Sequence, residues 1–572
     1  MGELAVVVGG IVVVAIVTAL GRRLNIAGPL VLVAIGLLLA LLPFVPNIPP
    51  IDPEWILVGV LPPLLYSSAV SLPAIEFRRD FRPIAGLSVL LVVGSAVLLG
   101  FFFSWVIPGL DLALGIALGA ILSPTDAVAT SIVKRMGISP RVVTMLEGES
   151  LLNDATALVL LRTAIAAIAG GFSFGLTLGT FFWGVLIALV VGAIVGLLNL
   201  RLRAWIGHSA ANTAISFAVP FIAYIPTEAL GGSGLVAAVV AGIVTGQGAA
   251  RWFTAEQRLS EELNWRTIEL MLEGGVFLVM GLELSDVVSS NLSENGGLWK
   301  GTSLALAALG IIVAVRGVYV AILIWTQGKR AKRYARADWS GIQAHIDGLA
   351  DGTRAPRRPI DAEKLQRRIP GLRLRVSRMM ADFDYYRNAP LGWKHGTIIV
   401  WAGMRGVVTL AAAQTLPRET EHRPLLIFIA FMVAVVSLLL QGFTLPLLVR
   451  MLRIPVEPAG PTREEQRRLD DELRTAASAA LQDPALARRD GSPFTERIVD
   501  KVGMRLVDPP DDDVSAAARE VLELRLVLIE AMRVRLIEVG ASGTFSTAAL
   551  RHALAELDAD QLSLELRVDD ED

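Results

Sequence analysis

The chain has no cysteine, and only 5 of its 572 residues are histidine. The absence of cysteine excludes disulfide bonds and thiolate ligands for a metal or redox centre. Charged residues are also few, at 19%, whereas 53% of the residues are hydrophobic and the mean hydropathy is +0.58. A soluble protein of this length needs a more polar surface, so the composition indicates a polytopic, all-α membrane protein.

The charges are nearly balanced, with a formal net charge of −2. This balance gives no support for nucleic-acid binding, which requires a basic surface. The scattered histidines do not have the spacing of metal ligands. We therefore expect a protein without a resident cofactor, whose surroundings are the lipid bilayer.

Apolar stretches long enough to cross a bilayer recur along most of the chain. Basic loops alternate with acidic or neutral ones, which predicts an N-terminus outside the cell and a C-terminus in the cytoplasm. Only the loop 416–424 is basic on the wrong side. The thirteen predicted spans are 3–20, 27–45, 54–71, 83–107, 111–134, 141–168, 178–200, 210–226, 232–247, 265–288, 300–326, 397–416 and 424–450.

Two charged regions leave the predicted membrane domain, which comprises residues 1–454. Residues 327–396 form a long basic insertion between the eleventh and twelfth spans, on the cytoplasmic side. Residues 455–572 have helical periodicity and many charges. They predict a small helical domain in the cytoplasm.

The sixth span carries acidic and amide side chains in the stretch EGESLLNDATALVLL, residues 147–161. Asp154 is predicted near the middle of this helix. Ser150 lies four residues before it, on the same face, and Glu149 and Asn153 share a face in the same way. Carboxylates at this depth are expensive to keep and usually mark an ion or proton pathway.

The fifth span is interrupted by the stretch SPTD, residues 123–126. Pro124 removes a backbone donor and collides with the preceding turn, so the helix is predicted to break just before it. An unwound stretch at this depth is tolerated only where it lines a cavity or is buried in protein. The Thr125 hydroxyl, the Asp126 carboxylate and free carbonyls are hard oxygen ligands, suited to a small cation such as Na⁺.

The twelfth span has a similar interruption, since Gly403, Arg405 and Gly406 fall in its middle. Two interrupted helices in corresponding positions are typical of secondary transporters with inverted repeats. The corresponding repeats here are residues 3–168 and 210–450, each with six predicted helices.

Arg316 is a further charge predicted in mid-membrane, within the eleventh span. A buried arginine stays protonated and therefore needs an anion. Glu149 is the best candidate for a structural ion pair with Arg316. Arg405 is an alternative partner for Glu149, or it screens the ends of the broken helices.

The segments LSPTDAVA, EGESLLNDATALV and GMRGVVTLA resemble the signature segments of the cation:proton antiporter superfamily, in its electroneutral sodium/proton exchanger branch. The similarity covers residues 1–454, and the bacterial form of the family has a similar insertion and tail. The resemblance implies a multi-pass protein of the bacterial cell membrane that serves pH homeostasis. It also implies a homodimer.

The resemblance also implies roles for individual residues, at the positions of this chain that match the signature segments. It implies that Asp154 is the essential carboxylate that binds the cation and the proton. Asn153 would be the neutral residue where electrogenic relatives have a second aspartate, and Glu149 with Arg316 would be structural. The residues that would complete the Na⁺ site are Asp126, Thr125 and Ser150.

One position departs from the family pattern. Many animal and archaeal relatives have a glutamate after the aromatic residue of the third helix, where this chain has Ser67 after Tyr66. Cation affinity and pH response are therefore not transferable from those relatives. We expect a secondary transporter, not an enzyme, that exchanges one Na⁺ for one proton around Asp154. Exchange of K⁺ or of several monovalent cations for protons is the alternative.

Overall fold

The computed structural model describes most of the membrane domain and a few residues of the tail. The described residues are 2–24, 28–40, 53–126, 128–170, 174–206, 209–295, 298–335, 389–454 and short stretches within 380–387, with isolated residues after 474. Within these residues every regular element is a helix, and there is no β-strand. The all-α prediction is confirmed for this part of the chain.

The helices are numbered here in chain order. Two of them, α3 and α5, begin with π-helical turns, at Trp55–Val60 and Gly86–Leu90. The bounds are α1 Gly2–Leu24, α2 Gly28–Ala40, α3 Leu61–Ser71, α4 Ala74–Ala85, α5 Leu91–Val106, α6 Leu112–Ile121, α7 Val128–Arg135, α8 Pro140–Gly170, α9 Phe174–Ile206, α10 Ser209–Ala229, α11 Gly234–Trp252, α12 Ala255–Asn295, α13 Trp299–Ala335, α14 Trp393–Trp401, α15 Val407–Gln414 and α16 Arg423–Leu452.

Length and composition identify the membrane-crossing helices most directly. Among the described residues, 6 helical stretches are long and apolar enough to cross a bilayer by themselves, and shorter apolar helices accompany them. Broken helices and short helices do not satisfy such a criterion. The protein is thus a multi-pass helical membrane protein, while the count of thirteen crossings and the inverted repeats stay predictions.

Several helices are longer than the predicted spans. Helix α13 runs to Ala335, so the beginning of the predicted insertion at residue 327 is helical. Residues 76–82, with the sequence EFRRDFR, lie between the third and fourth predicted spans and form most of α4. Hydropathy identifies the apolar part of a helix, whereas the helix itself continues into water wherever the backbone can stay hydrogen-bonded.

Close helix contacts are made through small residues. Helices α2 and α12 approach each other at Gly36 and Gly281. A Cβ on Gly36 would lie 2.4 Å from the Leu278 carbonyl oxygen, and one on Gly281 would lie 2.3 Å from that of Val33. Small residues of this kind let backbones approach in membranes, where lipid provides no hydrophobic driving force between helices.

The end of the predicted insertion packs against the middle of α4 and the beginning of α8. Arg141 of α8 donates two hydrogen bonds of 2.9 Å to Asp80 of α4, and a third of 2.8 Å to the Ala389 carbonyl. The Tyr385 hydroxyl donates to the same Asp80 carboxylate at 3.0 Å. Arg79 forms a salt bridge of 2.7 Å with Asp382. We call these residues the cytoplasmic clasp, after the side on which the sequence predicts them.

Residues 460–572 form a compact unit separate from residues 1–459. Most of this second unit lies outside the described residues. Of the described residues near its end, Ala559–Gln561 and Ser563–Leu564 are helical. The small helical tail therefore stays a prediction.

Candidate ion-binding site

The first broken helix consists of α6 and α7. Helix α6 ends at Ile121, and the chain is non-helical from Ser123 to Asp126 before α7 begins at Val128. Pro124 lies in this unwound stretch, where the sequence predicts the break. One oxygen of Asp126 accepts a hydrogen bond of 2.9 Å from the Val128 N–H. Asp126 therefore stabilises the N-terminus of α7, where a carboxylate is favourable.

The second broken helix consists of α14 and α15. Helix α14 ends at Trp401 and α15 begins at Val407, with residues 402–406 unwound between them. The two unwound stretches contact each other directly, because the Asp126 N–H donates to the Met404 carbonyl at 2.8 Å. Gly406 is required for this approach, since a Cβ at that position would lie 1.5 Å from a carboxylate oxygen of Asp126.

Arg405 lies between the ends of the two broken helices. Its Nε donates to the carbonyl of Leu122, the residue after α6, at 3.0 Å. Its Nη1 donates to the carbonyl of Gly403, the second residue after α14. Arg405 is buried, and its own N–H donates to the Ser437 hydroxyl at 3.0 Å. The guanidinium thus donates hydrogen bonds to carbonyl groups at the C-terminal ends of both half-helices, which carry partial negative charge. This is the arrangement in which Arg405 screens the ends of the broken helices, the second alternative given by the sequence.

Helix α8 passes beside the first break and contacts Thr125 through two side chains. The Ser150 hydroxyl donates to the Thr125 carbonyl at 2.9 Å. The Asn153 amide nitrogen donates to the Thr125 hydroxyl. These bonds hold the unwound stretch against α8. The Thr125 carbonyl and the Thr125 hydroxyl, both predicted as cation ligands, each accept one of these hydrogen bonds. Hydroxyl oxygens have two lone pairs, so the hydroxyls of Ser150 and Thr125 can still bind an ion, as can the nearby carboxylates.

Asp154 is a buried carboxylate beside these residues, and one of its oxygens has no partner in the described part of the chain. It is 5% exposed, and its Oδ1 makes no hydrogen bond among the described residues. The Oδ1 of Asn153 is likewise unpaired. A buried carboxylate such as that of Asp154 is costly unless it takes up a proton or a cation.

Asp154 lines a cavity of about 340 Å³. Pro124, Thr125, Asp126 and Ser150 line the same cavity, so the structure brings most of the predicted cation-site residues together around one space. Asn153 is not among the lining residues.

Glu149 and Arg316 form the ion pair that the sequence suggests. The guanidinium donates two hydrogen bonds to the carboxylate, one of them at 2.7 Å, and a third of 2.9 Å to the Ile399 carbonyl. Glu149 is 1% and Arg316 2% exposed. The geometry is bidentate, which is the strong form of such pairs. Arg405 is therefore not the hydrogen-bonding partner of Glu149 in this structure.

Two glutamates that sequence reasoning overlooked also line the cavity. Glu269 and Glu273 belong to α12, and both face the space that reaches Asp154. The sequence does contain a signal for them, because they lie four residues apart inside the predicted span 265–288, where carboxylates are rare. A single sequence does not indicate which face of that helix meets the unwound stretches.

Two interrupted helices that meet beside a buried carboxylate, with a cavity leading to it, are the architecture of a secondary transporter. The family model "Sodium/hydrogen exchanger, transmembrane" matches residues 11–365 and 368–451. The chain belongs to this sodium/hydrogen exchanger family, within the cation:proton antiporter superfamily. It is therefore a transporter that performs cation/proton antiport in the plasma membrane.

Similar proteins match most of the chain. The chain is 28% identical over 561 residues to the uncharacterized Na⁺/H⁺ exchanger YjcE of Escherichia coli K12, covering 93% of this chain and 92% of that protein. It is 28% identical to a sodium, potassium, lithium and rubidium/H⁺ antiporter of Bacillus pumilus, covering 73% of this chain and 57% of that protein. The sodium proton antiporter MjNhaP1 of Methanocaldococcus jannaschii has a similar fold, with a TM-score of 0.56, 16% identity and coverage of 79% of this chain and 99% of that one.

Proposed function

We propose that this protein exchanges one Na⁺ for one proton by alternating access, and that both substrates bind in competition at Asp154. The observation that carries the proposal is the buried Asp154 carboxylate, which has an unpaired oxygen and lines a cavity beside an unwound helix. An isolated charge in this position is expensive. Binding of either Na⁺ or a proton neutralises this charge and removes its energetic cost. The protein therefore changes between its inward-open and outward-open states when one of the two substrates is bound.

The cation would be held by hard oxygen atoms around Asp154. The available oxygens are the carboxylates of Asp154 and Asp126 and the hydroxyls of Ser150 and Thr125. Carboxylate and hydroxyl oxygens suit Na⁺. A proton on Asp154 instead turns one carboxylate oxygen into a donor, which no longer binds the cation.

The proposed stoichiometry follows from the residue beside Asp154. Asn153 is neutral and donates to Thr125, so it supplies no second titratable charge. A carboxylate that exchanges one proton for one Na⁺ moves no net charge across the membrane. The transport rate is then independent of membrane voltage.

We extend the proposal to the setting of the transporter. The protein acts as a homodimer without a resident cofactor and contributes to pH homeostasis. Its N-terminus is outside and its C-terminus is in the cytoplasm. The charge distribution of the loops supports this orientation.

The deciding experiment measures proton flux in proteoliposomes that are challenged separately with Na⁺, K⁺ and Li⁺. We expect Na⁺ to drive proton movement, and the initial rate to stay constant when the membrane voltage is clamped at several values. A steep dependence on voltage would contradict one-for-one exchange. Asp154→Asn is the matched inactive control.

Potassium or broad monovalent cation exchange is the second candidate. It is favoured by the similarity to the Bacillus pumilus antiporter, whose name includes potassium, lithium and rubidium. If K⁺ drives proton flux as well as Na⁺ does, this second function replaces the first while Asp154 keeps its role.

A further inference from the structure

The helices around Asp154 form two groups, and the cavity lies between them. Helix α8 packs mainly against α4 and α6, whereas α10 packs against α9 and α11, and α12 packs against α2. Helices α3 and α12 line one side of the cavity, and the unwound stretch 123–126, α7 and α8 line the other. We call α4–α8 with α13–α16 the first bundle, and α1–α3 with α9–α12 the second bundle.

Two side-chain contacts join the bundles beyond the cavity. Arg162 lies about 12 Å further along α8 than Asp154, and its guanidinium donates to the Glu228 carboxylate of α10 at 2.6 Å. The Gln414 amide, at the last residue of α15, donates to the Glu283 carboxylate of α12 at 2.6 Å. Each contact thus has its donor in the first bundle and its acceptor in the second.

The Gln414 contact lies at the same end of the protein as the Arg162 contact. Ala413, beside Gln414, belongs to the same hydrophobic cluster as Leu158 and Leu161 in the second half of α8. The first turn of α8 lies instead beside the chain that leads into α14, because Arg141 donates to a carbonyl there. Helix α15 therefore ends where α8 ends.

Glu228 is held in place by the second bundle itself. One of its carboxylate oxygens accepts a hydrogen bond of 2.9 Å from the N–H of Gly234, the first residue of α11. The N–H groups at the start of a helix lack partners within the helix, so this bond persists when Arg162 moves away. The contact with Arg162 can therefore break and form again without a rearrangement of α10 or α11.

Apolar side chains separate Asp154 from the Arg162 contact. Leu158, one turn beyond Asp154, is 8% exposed, and Leu161 is 2% exposed. Both belong to the same hydrophobic cluster as Leu235 and Val239 of α11. A charge crosses such a layer only at a high energetic cost. The bundles must therefore separate here before Asp154 becomes accessible from this end.

We propose that the Arg162–Glu228 and Gln414–Glu283 contacts form a latch, which keeps this end closed while the cavity is open and breaks when Asp154 becomes accessible from the other side of the membrane. Separation of the bundles breaks both contacts at once. Because 57% of the Arg162 side chain is exposed, its ion pair is weak and biases the equilibrium without preventing opening. This inference rests on the proposed function only in taking the transporter to work by alternating access.

The first test uses the natural absence of cysteine from the chain. Arg162→Cys with Glu228→Cys is reconstituted in proteoliposomes and linked with a bis(methanethiosulfonate) reagent. We expect Na⁺-driven proton flux to fall to the fraction of protein left unlinked, and to return when dithiothreitol reverses the link. The matched control is Thr213→Cys with Ser260→Cys, because these hydroxyls are 3.5 Å apart within the second bundle. Linking this pair should leave the flux unchanged.

The second test measures opening without transport. Val239→Cys places a thiol in the apolar layer, and Val219→Cys is its matched control in a separate cluster of the second bundle. Both valines are 1% exposed, so each thiol reacts with a maleimide at a rate that reports how often its site opens. Arg162→Gln should raise the rate at position 239 by up to about fivefold, the limit for a solvated ion pair. Gln414→Leu should act in the same direction, and neither substitution should change the rate at position 219.

The outcomes separate the latch from the proposed function. Undiminished flux in fully linked Arg162→Cys with Glu228→Cys overturns the latch, as does an unchanged rate at position 239 in Arg162→Gln. An equal rise at positions 239 and 219 also overturns it, because the whole bundle has then loosened. Substantial exchange by Asp154→Asn overturns the proposed function instead, and the labelling at position 239 still tests the latch.

Discussion

Two carboxylates on α8 have opposite surroundings although they are little more than one helical turn apart. Glu149 meets a bidentate arginine, and both members of this ion pair are buried and hydrogen-bonded. Asp154 has an unpaired oxygen and faces a cavity with further carboxylates. A buried charge with a fixed partner stabilises one arrangement of the fold. A buried charge without one is available to a substrate.

The largest effect is expected for Asp154, the carboxylate with an unpaired oxygen. Asp154→Asn should reduce Na⁺-driven proton flux below detection, because an amide neither releases the proton nor supplies a full charge. The melting temperature should not decrease, since the substitution removes a buried charge that has no fixed partner. Flux in proteoliposomes and thermal unfolding in detergent measure the two quantities. Glu262→Gln, at an exposed position, serves as the active control.

The second-largest effect is expected for the buried ion pair of Glu149 and Arg316. Glu149→Leu and Arg316→Leu should each lower the free energy of unfolding by about 3–5 kcal/mol, because each leaves the other charge buried and unpaired. The double variant should recover most of this loss. Denaturant unfolding measures the three values.

The control for this rescue combines Glu149→Leu with Arg405→Leu. Arg405 bonds to carbonyl groups at the ends of α6 and α14, so its removal should not restore stability. Recovery in this second combination would mean that Arg405 is the true partner. A stable but inactive double variant of Glu149 and Arg316 would place Glu149 in the ion site.

A smaller effect is expected in the cytoplasmic clasp. Tyr385→Phe removes one hydrogen bond to the Asp80 carboxylate and should cost about 1.5–3 kcal/mol. Burial and the Asp80 charge raise the pKa of the Tyr385 phenol. Because the pKa is higher in the folded than in the unfolded state, this contribution is constant below about pH 10 and decreases above it. The difference in the free energy of unfolding between variant and wild type should therefore be the same at pH 7 and at pH 9. Unequal differences would contradict a hydrogen bond from the Tyr385 hydroxyl to Asp80.

The smallest effect is expected at an accessible ion pair on α8. Arg162 contacts Glu228 at 2.6 Å, but 57% of its side chain is exposed. Solvated pairs contribute about 0–1 kcal/mol. Arg162→Gln should therefore lower the free energy of unfolding by no more than about 1 kcal/mol. A loss as large as that of Arg316→Leu would show that burial does not explain the difference between these ion pairs.

The sequence was sufficient for the features that depend on local chemistry. Pro124 predicts the first break because its ring is incompatible with a continuous helix. The group of Gly403, Arg405 and Gly406 predicts the second. The Glu149–Arg316 contact was predictable because each charge needs a partner at the same depth.

The remaining features depend on contacts between distant segments, which a single sequence does not contain. Hydropathy places Glu269 and Glu273 in a span but does not indicate which neighbour their shared face meets. The clasp between Asp80, Arg141 and Tyr385 joins three segments that are far apart in the chain. Periodicity predicts the face of a helix, and only the fold determines what covers that face.

The close approach of Gly406 to Asp126 also has an evolutionary consequence. A methyl group at position 406 would occupy the space of the Asp126 carboxylate, so the two positions cannot change independently. Alanine at 406 becomes tolerable only after the side chain at 126 has been shortened, and that first change removes a carboxylate from the cavity. The two positions are therefore epistatic, and glycine at 406 persists for as long as selection keeps aspartate at 126.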